Sequence, residues 1–242
     1  MSNENFELHL GDCLSILRTL PDSSVDAIVT DPPYNSGGAS SSARTNQTPR
    51  QKYQNSDTAK TYPHFGGDQR DQRGFAFWCH QWLSECYRVA KEGAPILLFT
   101  DWRQLPLTTD VLQAADFIWR GVVAWDKTGA CRPTRGRFAA QAEFVVWGSK
   151  GPMPFERGVK SLPGVFSHVV RQSDKHHVTG KPTPLMEDLL GIVPGSGLIL
   201  DPFAGSGTTG VAAIRRGHRF IGIEREPSYE TIARERLCSC ER

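Results

Sequence analysis

The sequence predicts an α/β protein: one domain built on a doubly wound, seven-stranded, mostly parallel sheet. Three observations carry that expectation. Short apolar runs rich in β-branched residues alternate along the chain with segments of helical periodicity. The opening strand, helix and second strand form the unit that normally closes as a right-handed crossover between parallel strands. Near the end, an apolar run enters a Gly-rich turn, Gly205-x-Gly207-x-x-Gly210, and a helix follows at once. With 242 residues, 38% of them apolar, the chain has enough material for one full core, and length alone requires no second domain.

Phe6-Glu7-Leu8-His9-Leu10 alternates apolar and polar residues as a strand does, and Gly11-Asp12 ends it. Cys13, Ile16, Leu17 and Leu20 mark a helix with Asp12 placed as its N-cap. Pro21 to Ser24 turn the chain into the strand Val25 to Thr30. From Asn35 to Gly74 polar residues dominate and the periodicity is lost, far beyond the usual connection of about 4–6 residues. This inserted loop (35–74) interleaves Arg44, Arg50, Lys52, Lys60, Arg70 and Arg73 with Tyr53, Tyr62 and Phe65, which suits nucleic acid, while disorder in the free protein is a compatible reading. Phe75, Trp78, Trp82, Leu83, Cys86 and Val89 define the next helix, which Gly93 closes. Strands follow at Pro95 to Thr100, Ile118 to Trp125 and Glu143 to Gly148, with a helix through Leu105 and Leu112 after the first of these. Few regular signals occur between Gly151 and Gly180. A helix through Leu185 and Leu189, a strand from Leu198, the Gly-rich turn and its helix, the strand Arg219 to Glu224 and a helix from Pro227 to Leu237 complete the chain.

Asp31-Pro32-Pro33-Tyr34 directly follows the second strand. Two prolines stop the strand because neither can donate to a sheet ladder, so a carboxylate, a carbonyl without a competing N–H and an aromatic ring are presented together. In open α/β sheets, ligands bind at that end of the strands. Such a set suits an exocyclic amine on a flat heterocycle: Asp31 and the Pro32 carbonyl accept its two hydrogens, the nitrogen lone pair becomes localised, and Tyr34 stacks on the ring. The alternative reading is a strand ended by an ordinary Pro-Pro turn.

Asp31-Pro32-Pro33-Tyr34 resembles the catalytic motif of amino-group DNA methyltransferases, which methylate adenine N6 or cytosine N4 with S-adenosyl-L-methionine. Asp201-Pro202-Phe203-Ala204-Gly205-Ser206-Gly207-Thr208 resembles the cofactor loop of that family, and Leu10-Gly11-Asp12 resembles the segment bordering the cofactor's adenine. His177-Val178-Thr179-Gly180-Lys181-Pro182 resembles the family's approach to the methionine end; Val178 and Gly180 depart from its pattern, which leaves Lys181 as the residue carried over. The resemblance implies catalytic roles for Asp31, Pro32, Pro33 and Tyr34. It implies cofactor contacts for Asp12, Lys181, Asp201, Phe203, Ala204, Gly205, Ser206, Gly207, Thr208 and Glu224. The catalytic strand precedes the cofactor loop, as in the permuted β-type arrangement, in which the N-terminal strand packs beside the C-terminal ones.

Read on its own, the Gly-rich turn with Glu224 ending the next strand also matches a dinucleotide fingerprint. A nucleotide-binding oxidoreductase would use that turn and leave Asp31 to Tyr34 unexplained. A non-catalytic DNA-binding protein would explain only the basic excess between Lys127 and Lys181, where ten Lys/Arg face three acids. The leading expectation is methylation of adenine N6 in double-stranded DNA, with cytosine N4 as the nearest alternative and RNA a weaker one; the segment 149–176 is the candidate for DNA recognition. A homodimer is expected from the family resemblance and from the many aromatic residues in and near Phe75 to Trp82, too many for one helix face to bury easily. The six scattered cysteines suggest no metal site, no apolar run approaches the roughly 18 residues of a membrane span, and a polar N-terminus suggests a cytoplasmic protein.

Overall fold

The computed structural model describes residues 5–35, 70–129, 135–169 and 180–240. Eight strands form one sheet: β1 (Phe6–Leu10), β2 (Ala27–Thr30), β3 (Pro95–Thr100), β4 (Ile118–Asp126), β5 (Ala142–Ser149), β6 (Val165–Ser167), β7 (Leu198–Asp201) and β8 (Arg219–Glu224). Their order across the sheet is β1-β8-β7-β2-β3-β5-β4-β6. Neighbours from β1 to β3 are parallel, β5 is antiparallel to both β3 and β4, and β6 returns parallel to β4. The N-terminal strand indeed joins the C-terminal ones, with Phe6 opposite Phe220 and Leu10 opposite Glu224. The eighth strand was not expected from the sequence. Three residues after Pro163-Gly164 are too short to display a period, and only pairing with Ala124 to Asp126 makes them a strand.

Among the described residues six helices cover the sheet: α1 (Cys13–Leu17), α2 (Gln72–Val89), α3 (Leu105–Ala114), α4 (Thr183–Leu189), α5 (Thr208–Arg215) and α6 (Pro227–Ser239). Asp12 caps α1 by accepting the Ser15 amide at 3.2 Å, and Asp71 caps α2 through the Gly74 amide at 2.8 Å. One core cluster joins one sheet face to Leu17 of α1, Trp82 of α2 and Leu112 of α3; the other joins the opposite face to Leu185 of α4, Val211 of α5 and Leu237 of α6. Strand β2 explains its own composition: Ile28 enters the first cluster, Ala27 and Val29 the second, so all three are fully buried.

The aromatic residues of α2 have an internal use. Phe75 and Trp82 are buried, and the rings of Trp78 and Trp82 stand edge-on to Phe203 at 5.5 and 5.0 Å between centroids. Of this group only Phe77 is exposed. The sequence argument for a dimer, that one helix could not bury so many rings, therefore does not hold.

Candidate active site

The parallel strands β1, β2, β7 and β8 end at one edge of the sheet, and their ends carry Asp12, Asp31, Asp201 and Glu224. Antiparallel β5 brings its first residues to the same edge, because Phe144 lies opposite Thr100 at the end of β3. Glu143 reaches the site in this way, and Lys127, just past the end of β4, meets it at 3.1 Å.

Around Asp31 the side chains close into a ring. Lys181 Nζ donates to Asp31 Oδ2 at 2.6 Å and lies 3.3 Å from Glu143 Oε2. The Tyr34 hydroxyl donates to Asp31 Oδ1 at 2.6 Å and lies 3.3 Å from the same Glu143 oxygen. Lys181 is buried, 5% exposed, so its charge is sustained by these carboxylates. Burial presses its pKa down, but Asp31 and Glu143 outweigh that and hold it above the ordinary lysine value. Burial raises the Asp31 carboxyl, with Lys181 pulling back against it. Burial also acts on Glu143, yet Lys181 and Lys127 hold it below the usual range. The Tyr34 phenol is pushed well above its ordinary value by burial and by Asp31, so it stays a hydrogen-bond donor.

Just beyond Tyr34, Asn35 adopts a left-handed backbone with φ of 55°, and its side chain bonds the backbone N–H and C=O of Arg70. Asn35 and Arg70 are thereby held together, and the Arg70 guanidinium lies 4.6 Å over the Trp78 ring. The loop expectation itself falls largely outside the described residues, as do His177, Val178 and Thr179.

The Gly-rich turn is held from three sides. Gly205 has φ of 52° and Gly207 of 78°; added Cβ atoms would meet nothing at Gly205 but Ala233 Cβ of α6 at 3.0 Å at Gly207. Gly210 lies against Phe220 and Leu237, where no side chain fits. Glu224 accepts the Gly205 amide at 2.7 Å and the Glu226 amide at 2.8 Å, and burial raises its carboxyl against those donors. Asp201 accepts from Thr30 at 2.7 Å, Thr209 at 2.6 Å and the Phe203 amide at 3.0 Å; burial raises it to about 6. The Ser206 and Thr208 hydroxyls are buried and face Arg236 of α6, which also bonds the Ser206 carbonyl. Ala204 is buried, its amide bonded to the Ile223 carbonyl at 2.9 Å.

The described residues singled out for catalysis and cofactor binding lie at or beside these strand ends, but Lys181 belongs to the Asp31 ring rather than standing apart from it. Thr30, Thr209, Lys127, Glu143 and Arg236 were missed. Glu143 had one available signal, a lone acid opening an apolar strand. The donor set suits an adenosyl cation: acids for ribose hydroxyls and positive charge, open space at Gly205, and Lys181, already committed to Asp31 and Glu143, as the cation of the network.

Comparison with known proteins identifies the family. The family model for N6/N4 DNA methylases matches residues 25–235. The type II methyltransferase M.HinfI of Haemophilus influenzae is 31% identical over 254 aligned positions, spanning 94% of this chain and 67% of its own. M2.MboI of Moraxella bovis is 25% identical, covering 97% and 88%. Two solved structures share the fold: M1.HpyAVI bound to SAM, with a TM-score of 0.69, 23% identity and coverage of 96% and 98%, and the cytosine-N4-specific PvuII DNA methyltransferase, with 0.71, 18%, 97% and 87%. Among the described residues no helix is long and apolar enough to cross a membrane, and no group of three His, Cys, Asp or Glu could hold a metal. The chain belongs to the N6/N4 DNA methylase family, whose methyl donor is S-adenosylmethionine.

Proposed function

We propose that this enzyme methylates the N6 amine of an adenine in double-stranded DNA. The observation that carries the reading is Asp31, presented with the Pro32 carbonyl at the end of β2 and bordered by Tyr34 and Lys181. An adenine amine is a poor nucleophile because its lone pair is delocalised into the ring. Two acceptors on its hydrogens localise that pair. Asp31 and Pro32 supply them, Lys181 keeps Asp31 ionised, and Tyr34 stacks on the base. When bound, the cofactor supplies a methyl group activated on a sulfonium. Glu224 binds the ribose hydroxyls, Asp12 borders the adenine of the cofactor, Phe203 and Ala204 wall its pocket, and the backbone of Gly205 to Thr208 forms its floor. Asp201 favours its positive end.

The target amine lies inside a base pair, so the base must leave the stack at a cost on the order of a few kcal/mol. Phosphate contacts offset part of this. Arg135 and Arg137 are exposed on the β4–β5 connection, and Phe138 beside them is fully exposed. These residues face DNA in this reading; the segments 35–74 and 149–176, of which 36–69 and 170–176 lie outside the described residues, remain the candidates for recognition by their composition, which favours a short or relaxed site. In this reading the enzyme acts in the cytoplasm, and family resemblance is the remaining ground for a homodimer; sedimentation at micromolar concentration giving only a monomer would remove it. Cytosine N4 suits the same acceptors, and the cytosine-N4-specific PvuII enzyme shares the fold, so the base is the point to test. Duplex DNA incubated with tritiated S-adenosylmethionine is digested to nucleosides and separated. Label in N6-methyl-2′-deoxyadenosine supports the reading; label in N4-methyl-2′-deoxycytidine overturns the choice of base.

A further inference from the structure

We propose that Glu143 is a positioning residue that takes the Tyr34 hydroxyl from Asp31 when the target amine arrives. The proposal rests on the reading that Asp31 holds that amine. Both oxygens of Asp31 are engaged: Oδ1 by the Tyr34 hydroxyl at 2.6 Å and Oδ2 by Lys181 at 2.6 Å. A donor on Oδ1 competes with an amine hydrogen for the same negative charge. Tyr34 has one proton to give, and its part-buried hydroxyl is costly to leave without an acceptor. The second acceptor already stands beside it, since Glu143 Oε2 is 3.3 Å from the Tyr34 oxygen.

Glu143 is suited to wait there. It opens a strand paired on both sides, with Phe144 facing Thr100 of β3 and Ala124 of β4, and Lys127 fixes its other carboxylate oxygen at 3.1 Å. Lys181 bridges Asp31 and Glu143, so the two carboxylates are matched by two lysines. Moving a neutral O–H from one carboxylate to the other shifts no net charge within this set. The exchange frees Asp31 Oδ1 for the amine and releases the Tyr34 ring from its tether on Asp31.

The test is single-turnover methyl transfer from tritiated S-adenosylmethionine to unmethylated plasmid DNA by the full chain. Glu143→Ala is expected to slow transfer about tenfold, the rate equivalent of one lost hydrogen bond. Glu143→Gln, whose amide carbonyl still accepts the hydroxyl, is expected to recover to within about threefold of the parent. In a Tyr34→Phe background there is no hydroxyl to move, and Glu143→Ala is expected to change the rate by less than about threefold. If Glu143→Ala fails to fold, Glu143→Met fills similar volume without a carboxylate and takes its place. Equal losses in both backgrounds, or no loss in the parent, would overturn the proposal. Transfer surviving in Asp31→Ala would instead remove the reading on which it rests.

Discussion

Replacing Lys181 by Met should be among the most damaging single changes at the site, and its pH dependence identifies the cause. Met fills the volume but carries no charge, so Asp31 loses its 2.6 Å partner and Glu143 its 3.3 Å one. Glu143 keeps Lys127 at 3.1 Å, so most of the loss falls on Asp31. Breaking a buried pair by removing one member costs about 3–5 kcal/mol, because the remaining charge is stranded. With Glu143 still paired, the lower end applies, about 3 kcal/mol. The sign with pH follows from Asp31, whose carboxyl burial already raises against the pull of Lys181. Without Lys181 it rises further. The deficit is therefore full above the folded-state value of Asp31 in the variant, where folding forces a buried carboxylate, and it shrinks as pH falls through that value and Asp31 takes up a proton. Urea unfolding of parent and variant at about pH 8 and about pH 5 measures this directly. A deficit below about 1 kcal/mol, or one equal at both pH values, would refute the argument that Lys181 is there to keep Asp31 charged.

Glu224→Ala should weaken cofactor binding by about 1–3 kcal/mol, since the ribose loses a charged acceptor and the Gly205 amide its partner; an unchanged affinity by calorimetry would make Glu224 only a brace for the loop. Cofactor binding should release protons near pH 6, because Asp201 stands at about 6 in the free protein and an approaching cation favours its ionised form. Calorimetry in two buffers of different ionisation enthalpy reads that release, which should vanish about one to two units higher; none near pH 6 would place the positive end away from Asp201. Gly207→Ala should lower stability by about 1–3 kcal/mol, combining a positive φ with a Cβ 3.0 Å from that of Ala233. A thermal melt unchanged from the parent would show that the turn relaxes freely.

Local signals made most of this fold legible. The strands Phe6 to Leu10, Val25 to Thr30 and Leu198 to Asp201 declare themselves by apolar runs, and Asp12 by its place before a helix. Motif residues sit at strand ends, so knowing the strands located the site as well. What escaped depends on pairing across the sheet. Glu143 is a site residue only because β5 runs antiparallel and its first turn of chain lands beside Thr100. Arg236 is far from the Gly-rich turn in sequence, and only the packing of α6 brings it to Ser206. Lys181 and Asp31 were each found, yet their pairing across 150 positions was not. The rings of α2 misled for the same reason, since Phe203, which they pack against, arrives from the other end of the chain.

The central claim is a division of labour along one sheet edge: Asp31 meets the amine, while the cofactor rests on the ends of β1, β7 and β8. Asp31→Ala tests it most directly, with methyl transfer and cofactor affinity measured on the same preparation. The account predicts that transfer to DNA is abolished while the calorimetric affinity for S-adenosylmethionine stays within about threefold of the parent, a difference under 1 kcal/mol. Cofactor affinity collapsing together with transfer would contradict it.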